Sequence, residues 1–136
     1  MNNLVLKAIE AQQFSYSPYS GFQVGACLLA KDGQIFTGCN IENAAYSPTN
    51  CAERTAFFKA VSQGVLDFEA IAIVGCLKDS KDEDKNYCPP CGVCLQVMAE
   101  FCDPNTFKVI LVRTKDDYTE HLLRDMLPFA FTSDDL

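Results

Sequence analysis

The stretch from Phe68 to Cys76 (Phe-Glu-Ala-Ile-Ala-Ile-Val-Gly-Cys) is apolar at every position but Glu69. A run of strand length without alternation cannot leave one face in water, so it predicts a central strand covered on both sides. The flanking segments supply the cover and the neighbours. Residues 4–13 carry apolar side chains at helical spacing (Leu4, Val5, Ala8, Ile9), and the helix stops at the turn-rich Ser15-Tyr16-Ser17-Pro18-Tyr19-Ser20-Gly21. Phe22 to Ala30 and Ile35 to Ile41 read as strands joined by a hairpin with an Asp32-Gly33 turn.

Glu42 to Asn50 is polar and irregular, Cys51 to Gln63 reads as a helix, and Gly64 ends it. The acidic stretch Asp79 to Lys85 reads as a solvated loop before Pro89-Pro90. A helix from about Gly92 to Phe101 follows, then a strand from Lys108 to Arg113, a fifth from Tyr118 to Leu122, and a short helical turn near Leu123–Met126. The order β-β-α-β-α-β predicts a mixed, roughly five-stranded sheet in a three-layer α/β/α sandwich. Right-handed crossovers place the helices after strands two and three at neighbouring strand ends. No repeat or linker interrupts the chain, so residues 1–136 are expected to form one domain.

Composition excludes several functions. Net charge is −7, and the 11 Lys and Arg residues form no cluster, which argues against a polynucleotide partner. No apolar run approaches the roughly 20 residues that span a bilayer. The amino-terminal residues lack the features of a signal peptide, so a cytoplasmic location is expected. The eight cysteines then read as reduced thiols, some packed and some available to a metal.

Two segments carry the chemistry. Cys51-Ala52-Glu53-Arg54 opens one helix, and Pro90-Cys91-Gly92-Val93-Cys94 opens another. A catalytic zinc site uses three protein ligands and leaves a fourth corner for water, and Cys51, Cys91 and Cys94 supply three. Helix starts lower thiolate pKa and offset the charge of three sulfurs. Arg54 is placed to donate to the thiolates. Glu53, two residues beyond Cys51, can face the open corner without ligating. There it would take a proton from a water whose pKa zinc can bring down to about 7.

The combined pattern C-x-E…P-C-x-x-C matches the known signature of zinc deaminases, with Cys in place of His as first ligand. Cys88-Pro89-Pro90-Cys91 offers a second, overlapping C-x-x-C. Cys88 precedes two prolines in an extended stretch and is set aside: as a fourth ligand it would close the site and leave Glu53 without a purpose. Cys27, Cys39, Cys76 and Cys102 read as small core residues, and the lone histidine, His121, as a surface or packing residue.

With these motifs in place, the chain resembles cytidine deaminase of the small homotetrameric, zinc-dependent type, over nearly its whole length. The likeness rests on Tyr19-Ser20-Gly21-Phe22-Gln23-Val24-Gly25-Ala26, Gly38-Cys39-Asn40-Ile41-Glu42-Asn43-Ala44-Ala45-Tyr46, the two metal segments, and Leu127-Pro128-Phe129-Ala130-Phe131. It implies one Zn2+ per chain and deamination of cytidine and 2′-deoxycytidine to the uridine products plus ammonia, a pyrimidine salvage reaction. It implies that Asn40 and Glu42 bind the ribose 3′-hydroxyl, that Phe22 packs on the pyrimidine, and that the Ala52 N–H reads the base carbonyl. Phe131 would reach into a neighbouring subunit's site, and Tyr46 would lie at a subunit boundary near it.

One departure stands out: the family commonly carries Arg after the last zinc cysteine, where this chain has Leu95, which puts more demand on Arg54. Competing expectations are a deaminase of a cytosine-nucleoside analogue such as blasticidin S, a polynucleotide editor, which the −7 charge opposes, and a non-enzymatic structural zinc module with four protein ligands.

Overall fold

The computed structural model describes residues 1–136, in the order α1 (Asn2–Ala11), β1 (Phe22–Ala30), β2 (Ile35–Cys39), α2 (Ala52–Ser62), β3 (Phe68–Leu77), α3 (Gly92–Phe101), β4 (Lys108–Thr114), β5 (Asp117–Leu122) and the short α4 (Leu123–Met126). The five strands form one sheet in the order β2-β1-β3-β4-β5. Only β3 and β4 pair in parallel; the other neighbours are antiparallel. The apolar run is therefore central, as its composition requires.

Strand alternation builds three layers. Ala26, Leu28, Ile71, Ile73, Val109 and Leu111 face α2 and α3, where Ala56, Phe57, Ala60 and Met98 meet them. Cys27, Ala70, Ala72, Val74, Ile110 and Val112 point the other way, onto Leu4, Val5 and Ala8 of α1. Each central strand thus feeds both cores, and successive residues belong to different ones. The expected α/β/α sandwich is the observed fold.

Close packing of helix on sheet depends on two glycines. A Cβ at Gly25 would lie 2.1 Å from the Ala8 carbonyl oxygen, and one at Gly38 would lie 2.4 Å from that of Ala52. Both helices sit closer to the sheet than any side chain there would permit.

Several boundaries differ from expectation by one to two residues. Helix α1 runs over Asn2–Ala11 and passes into a 3-10 turn at Gln12–Phe14. There the Gln12 side chain donates to the Gln23 carbonyl at 2.9 Å and anchors the exit onto β1. Strand β5 begins one residue early, at Asp117. Strand β2 ends at Cys39 because the Asn40 side chain takes over the bonding: its amide donates to the Phe22 carbonyl at 2.8 Å, and its carbonyl accepts from the Val24 N–H at 2.9 Å. Ile41 then pairs with Tyr16 and Asn50 outside the sheet.

This topology positions the site. Because β1 runs antiparallel to both neighbours, β2 and β3 point the same way. The chain leaves both strands at the same end of the sheet, and the loops after them deliver the starts of α2 and α3 there. No helix is long and apolar enough to cross a membrane.

Candidate active site

Cys51 and Cys91 are the N-cap residues of α2 and α3, both in extended backbone, and neither makes a side-chain cap bond. Their sulfurs are left for other partners. Cys94, one turn into α3, is buried beneath them. The three Sγ atoms lie within 4.8 Å of one another, with Cys51–Cys91 at 3.9 Å and Cys91–Cys94 at 3.5 Å. Zinc–sulfur bonds of about 2.3 Å at tetrahedral angles put sulfurs about 3.8 Å apart, so the donor set fits one tetrahedral zinc with a corner to spare. Cys88 is not in the cluster.

The electrostatics suit a cation. A hydrogen bond from the Cys94 thiol holds the Cys51 pKa down at about 5, against the effect of burial and with help from the Arg54 guanidinium. Cys94 is pushed up in turn, by that same bond to Cys51 and by burial. Arg54 Nη2 donates to Cys51 Sγ at 3.3 Å. Burial alone would lower the Arg54 pKa, but its bonds to Cys51 and Cys94 outweigh that and raise it. Leu95 is packed into the apolar core, so it contributes no charge to the site.

Glu53 lies in the first turn of α2 and is 5% exposed. Burial raises its carboxyl pKa to about 7, and the Cys51 charge adds to the rise. A carboxyl poised near neutrality in a cleft suits general acid–base work.

The cleft beside the thiols has a volume of about 270 Å³, and Cys51, Ala52, Glu53, Asn40 and Glu42 are among the residues that line it. Asn40 is almost fully committed. Its amide oxygen also accepts from Ser15 Oγ, which leaves one N–H of the amide without a protein partner. Glu42 Oε1 accepts from the Tyr19 and Ser20 N–H groups, both at 3.1 Å, while Oε2 accepts from Ser20 Oγ. The Ser20 hydroxyl bond is the main cause of a Glu42 pKa below the ordinary carboxylate value.

The remaining sequence-predicted residues lie apart from this lining. Phe22 borders an adjoining cavity of about 300 Å³ that shares Cys88 and Pro89 with the cleft. Val24, two residues on, faces the cleft itself. Tyr46 is 95% exposed and Phe131 is 58% exposed, with only its carbonyl held, by Gln96. His121 bonds Thr119. Cys27 and Cys102 are core residues, but Cys39 and Cys76 are only half-buried: the Cys39 thiol bonds the Phe14 carbonyl, and Cys76 accepts from Gln12.

Sequence reasoning missed Ser15, Ser20, Val24 and the lining role of Cys88. Small residues in turns and within strands carry no signal of what they touch across the fold.

A fold of this topology with three thiols and a buried acid at paired helix starts defines a zinc hydrolase site. The family model for the cytidine and deoxycytidylate deaminase zinc-binding region matches residues 1–110. The chain is 48% identical over 136 residues to a cytidine deaminase from Sporosarcina psychrophila, covering all of this chain and 94% of that protein. It is 50% identical over 133 residues to one from Halalkalibacterium halodurans, covering 98% and 95%. The crystal structure of cytidine deaminase from Burkholderia pseudomallei superposes with a TM-score of 0.83 at 43% identity, covering 95% of this chain and 97% of that one. The chain belongs to the zinc-dependent cytidine deaminase family.

Proposed function

We propose that this protein hydrolyses cytidine and 2′-deoxycytidine to uridine and 2′-deoxyuridine with release of ammonia, as a step of pyrimidine salvage. The observation that carries the reading is Glu53. It is a buried carboxyl with a pKa near 7, beside a three-thiol cluster, in a cleft that Asn40 and Glu42 also line.

Cys51, Cys91 and Cys94 would hold the ion. When bound, zinc makes water acidic enough to act as a nucleophile at neutral pH. Glu53 takes a proton from the attacking water as its oxygen bonds C4 and delivers it to N3 of the ring, then passes the proton of the new C4 hydroxyl to the amine, which leaves as ammonia as the C4–N bond breaks and the C4 carbonyl forms. The Ala52 N–H, an unpaired donor at the start of α2, holds the base carbonyl oxygen. At the sugar, Glu42 accepts from the 3′-hydroxyl and the free Asn40 N–H donates to it. Ribose and deoxyribose share that hydroxyl, which is why both nucleosides are substrates. Phe22 supports the base end from the adjoining cavity, by way of Cys88.

The protein works as a homotetramer with sites at subunit boundaries. Ligand cavities run from roughly 300 Å³ upward, and one chain supplies about 270 Å³. Tyr46, Phe129 and Phe131 are exposed aromatics near the chain surface, suited to completing a neighbour's cleft. Eight free thiols, three of them metal ligands, suit the reducing cytoplasm.

Ultraviolet monitoring of cytidine, beside a metal assay, tests the activity. Wild type with one zinc per chain should convert cytidine, and Glu53→Gln should keep the metal but lose turnover. Zinc-loaded wild type that leaves cytidine unchanged refutes the proposal.

A further inference from the structure

The wall between the cleft and the adjoining cavity is made by two residues. Cys88 and Pro89 line both spaces. Cys88 packs closely against β3. A Cβ at Gly75 would lie 2.8 Å from Cys88 Sγ, 2.9 Å from Phe22 Cε1 and 3.0 Å from Cys88 Cβ, so the Cys88 side chain and the Phe22 ring are both packed against bare backbone of β3. Gly75 has no left-handed backbone conformation; its lack of a side chain is what admits Cys88 and the Phe22 ring. Cys88 lines the cleft together with Cys51, Ala52 and Glu53, and burial pushes its thiol pKa up to about 11. It is a neutral, space-filling group.

The chemistry of the base tells which edge it meets. In a pyrimidine nucleoside N1 bears the sugar, C2 the carbonyl and C4 the reacting amine. With N3 and the carbonyl turned to Glu53 and Ala52 of α2, the opposite edge holds C5 and C6, and C5 adjoins C4 at the metal end. We infer that Cys88, backed by Gly75 and Phe22, is a specificity-determining residue that limits the size of a C5 substituent by closing the cleft from the 300 Å³ cavity behind it. The inference rests on the cytidine-deaminating reading above. Adding or removing a single small group in such a pocket shifts discrimination by roughly 10- to 200-fold.

The test compares kcat/KM for 5-methylcytidine and 5-iodocytidine, each relative to cytidine, in zinc-loaded full-length wild type, Cys88→Ala and Gly75→Ala. The ratio within one enzyme cancels general losses of activity, and the change between enzymes cancels the electronic effect of the substituent. Cys88→Ala should raise both ratios at least threefold, with the larger gain for iodine. Gly75→Ala touches no substrate and pushes Cys88 toward the cleft, so it should lower both ratios at least threefold. Cys88→Ala decides the matter, and Gly75→Ala decides it if the former does not fold. Cytidine turnover with smaller or opposite changes overturns this inference alone, whereas wild type inactive on cytidine overturns the activity and the inference with it.

Discussion

Arg54 holds Cys51 by an Nη2–Sγ hydrogen bond of 3.3 Å, while the Arg54 Nε, also buried, has no partner. An unsatisfied buried donor costs about 1–3 kcal/mol, a cost consistent with a guanidinium kept for its charge. Three thiolates on a divalent ion leave a net negative centre, and Leu95 lies in the core where a second cation could have stood.

Arg54→Ala should therefore weaken zinc binding by about 10- to 100-fold, the usual effect of losing a group that orients metal ligands. Chelator competition with metal analysis reads this directly. Equal zinc retention by variant and wild type would falsify the charge-balancing role.

Glu53→Gln should bind zinc and cytidine but turn over about 10²- to 10⁴-fold more slowly, since the amide cannot accept the water proton. The same site as a structural zinc module predicts that this variant alters only stability. Single-turnover kinetics and a melting curve separate the two.

Binding of the sugar should resist acid. The Glu42 pKa is depressed, chiefly by the Ser20 hydroxyl, so its carboxylate stays charged as pH falls through 4.5, the ordinary value. KM for cytidine should hold steady down to that range and rise only below it. In Ser20→Ala the folded pKa returns upward, and the rise in KM should begin at higher pH. Coincident acid limbs in the two proteins would remove Ser20 from the binding apparatus.

Gly38→Ala should destabilise the fold by about 1–3 kcal/mol, the usual cost of overpacking. A Cβ there meets the Ala52 carbonyl oxygen at 2.4 Å and the Ala56 nitrogen at 2.7 Å, both backbone atoms of α2. Because relief requires α2 to move with Cys51 and Glu53 on it, zinc affinity should fall along with the urea midpoint. Loss of stability with unchanged zinc affinity would show that the helix start is held independently.

Subunit exchange tests the role of Phe131. Phe131→Ala and Glu53→Gln chains, each poorly active alone, should regain activity when mixed, because hybrid assemblies contain intact clefts served by an intact neighbouring Phe131. Sedimentation should show a tetramer, and a monomeric, fully active protein would refute the shared site.

Residue order alone determined the layers and the chemistry. A run from Phe68 to Cys76 that is apolar at all but Glu69 has no soluble solution except a covered central strand, and cysteines at Cys51, Cys91 and Cys94 near helix starts leave few purposes besides a metal. These signals are legible because periodicity and donor spacing are local. The tertiary structure decided what depends on residues far apart in the chain. Strands β2 and β3 run the same way, so the loops after them bring Cys51 and Cys91, 40 residues apart in sequence, to the same end of the sheet, and that convergence makes the thiol cluster. Asn40 ended β2 early by bonding Phe22 and Val24 across the sheet, and Ser20 fixed Glu42 from another turn. Cys88, discounted as a ligand from its prolines, became a wall of the cleft only because Gly75 on β3 left it room. Side-chain bonds and steric fit between distant segments have no period to read, so only the folded chain reveals them.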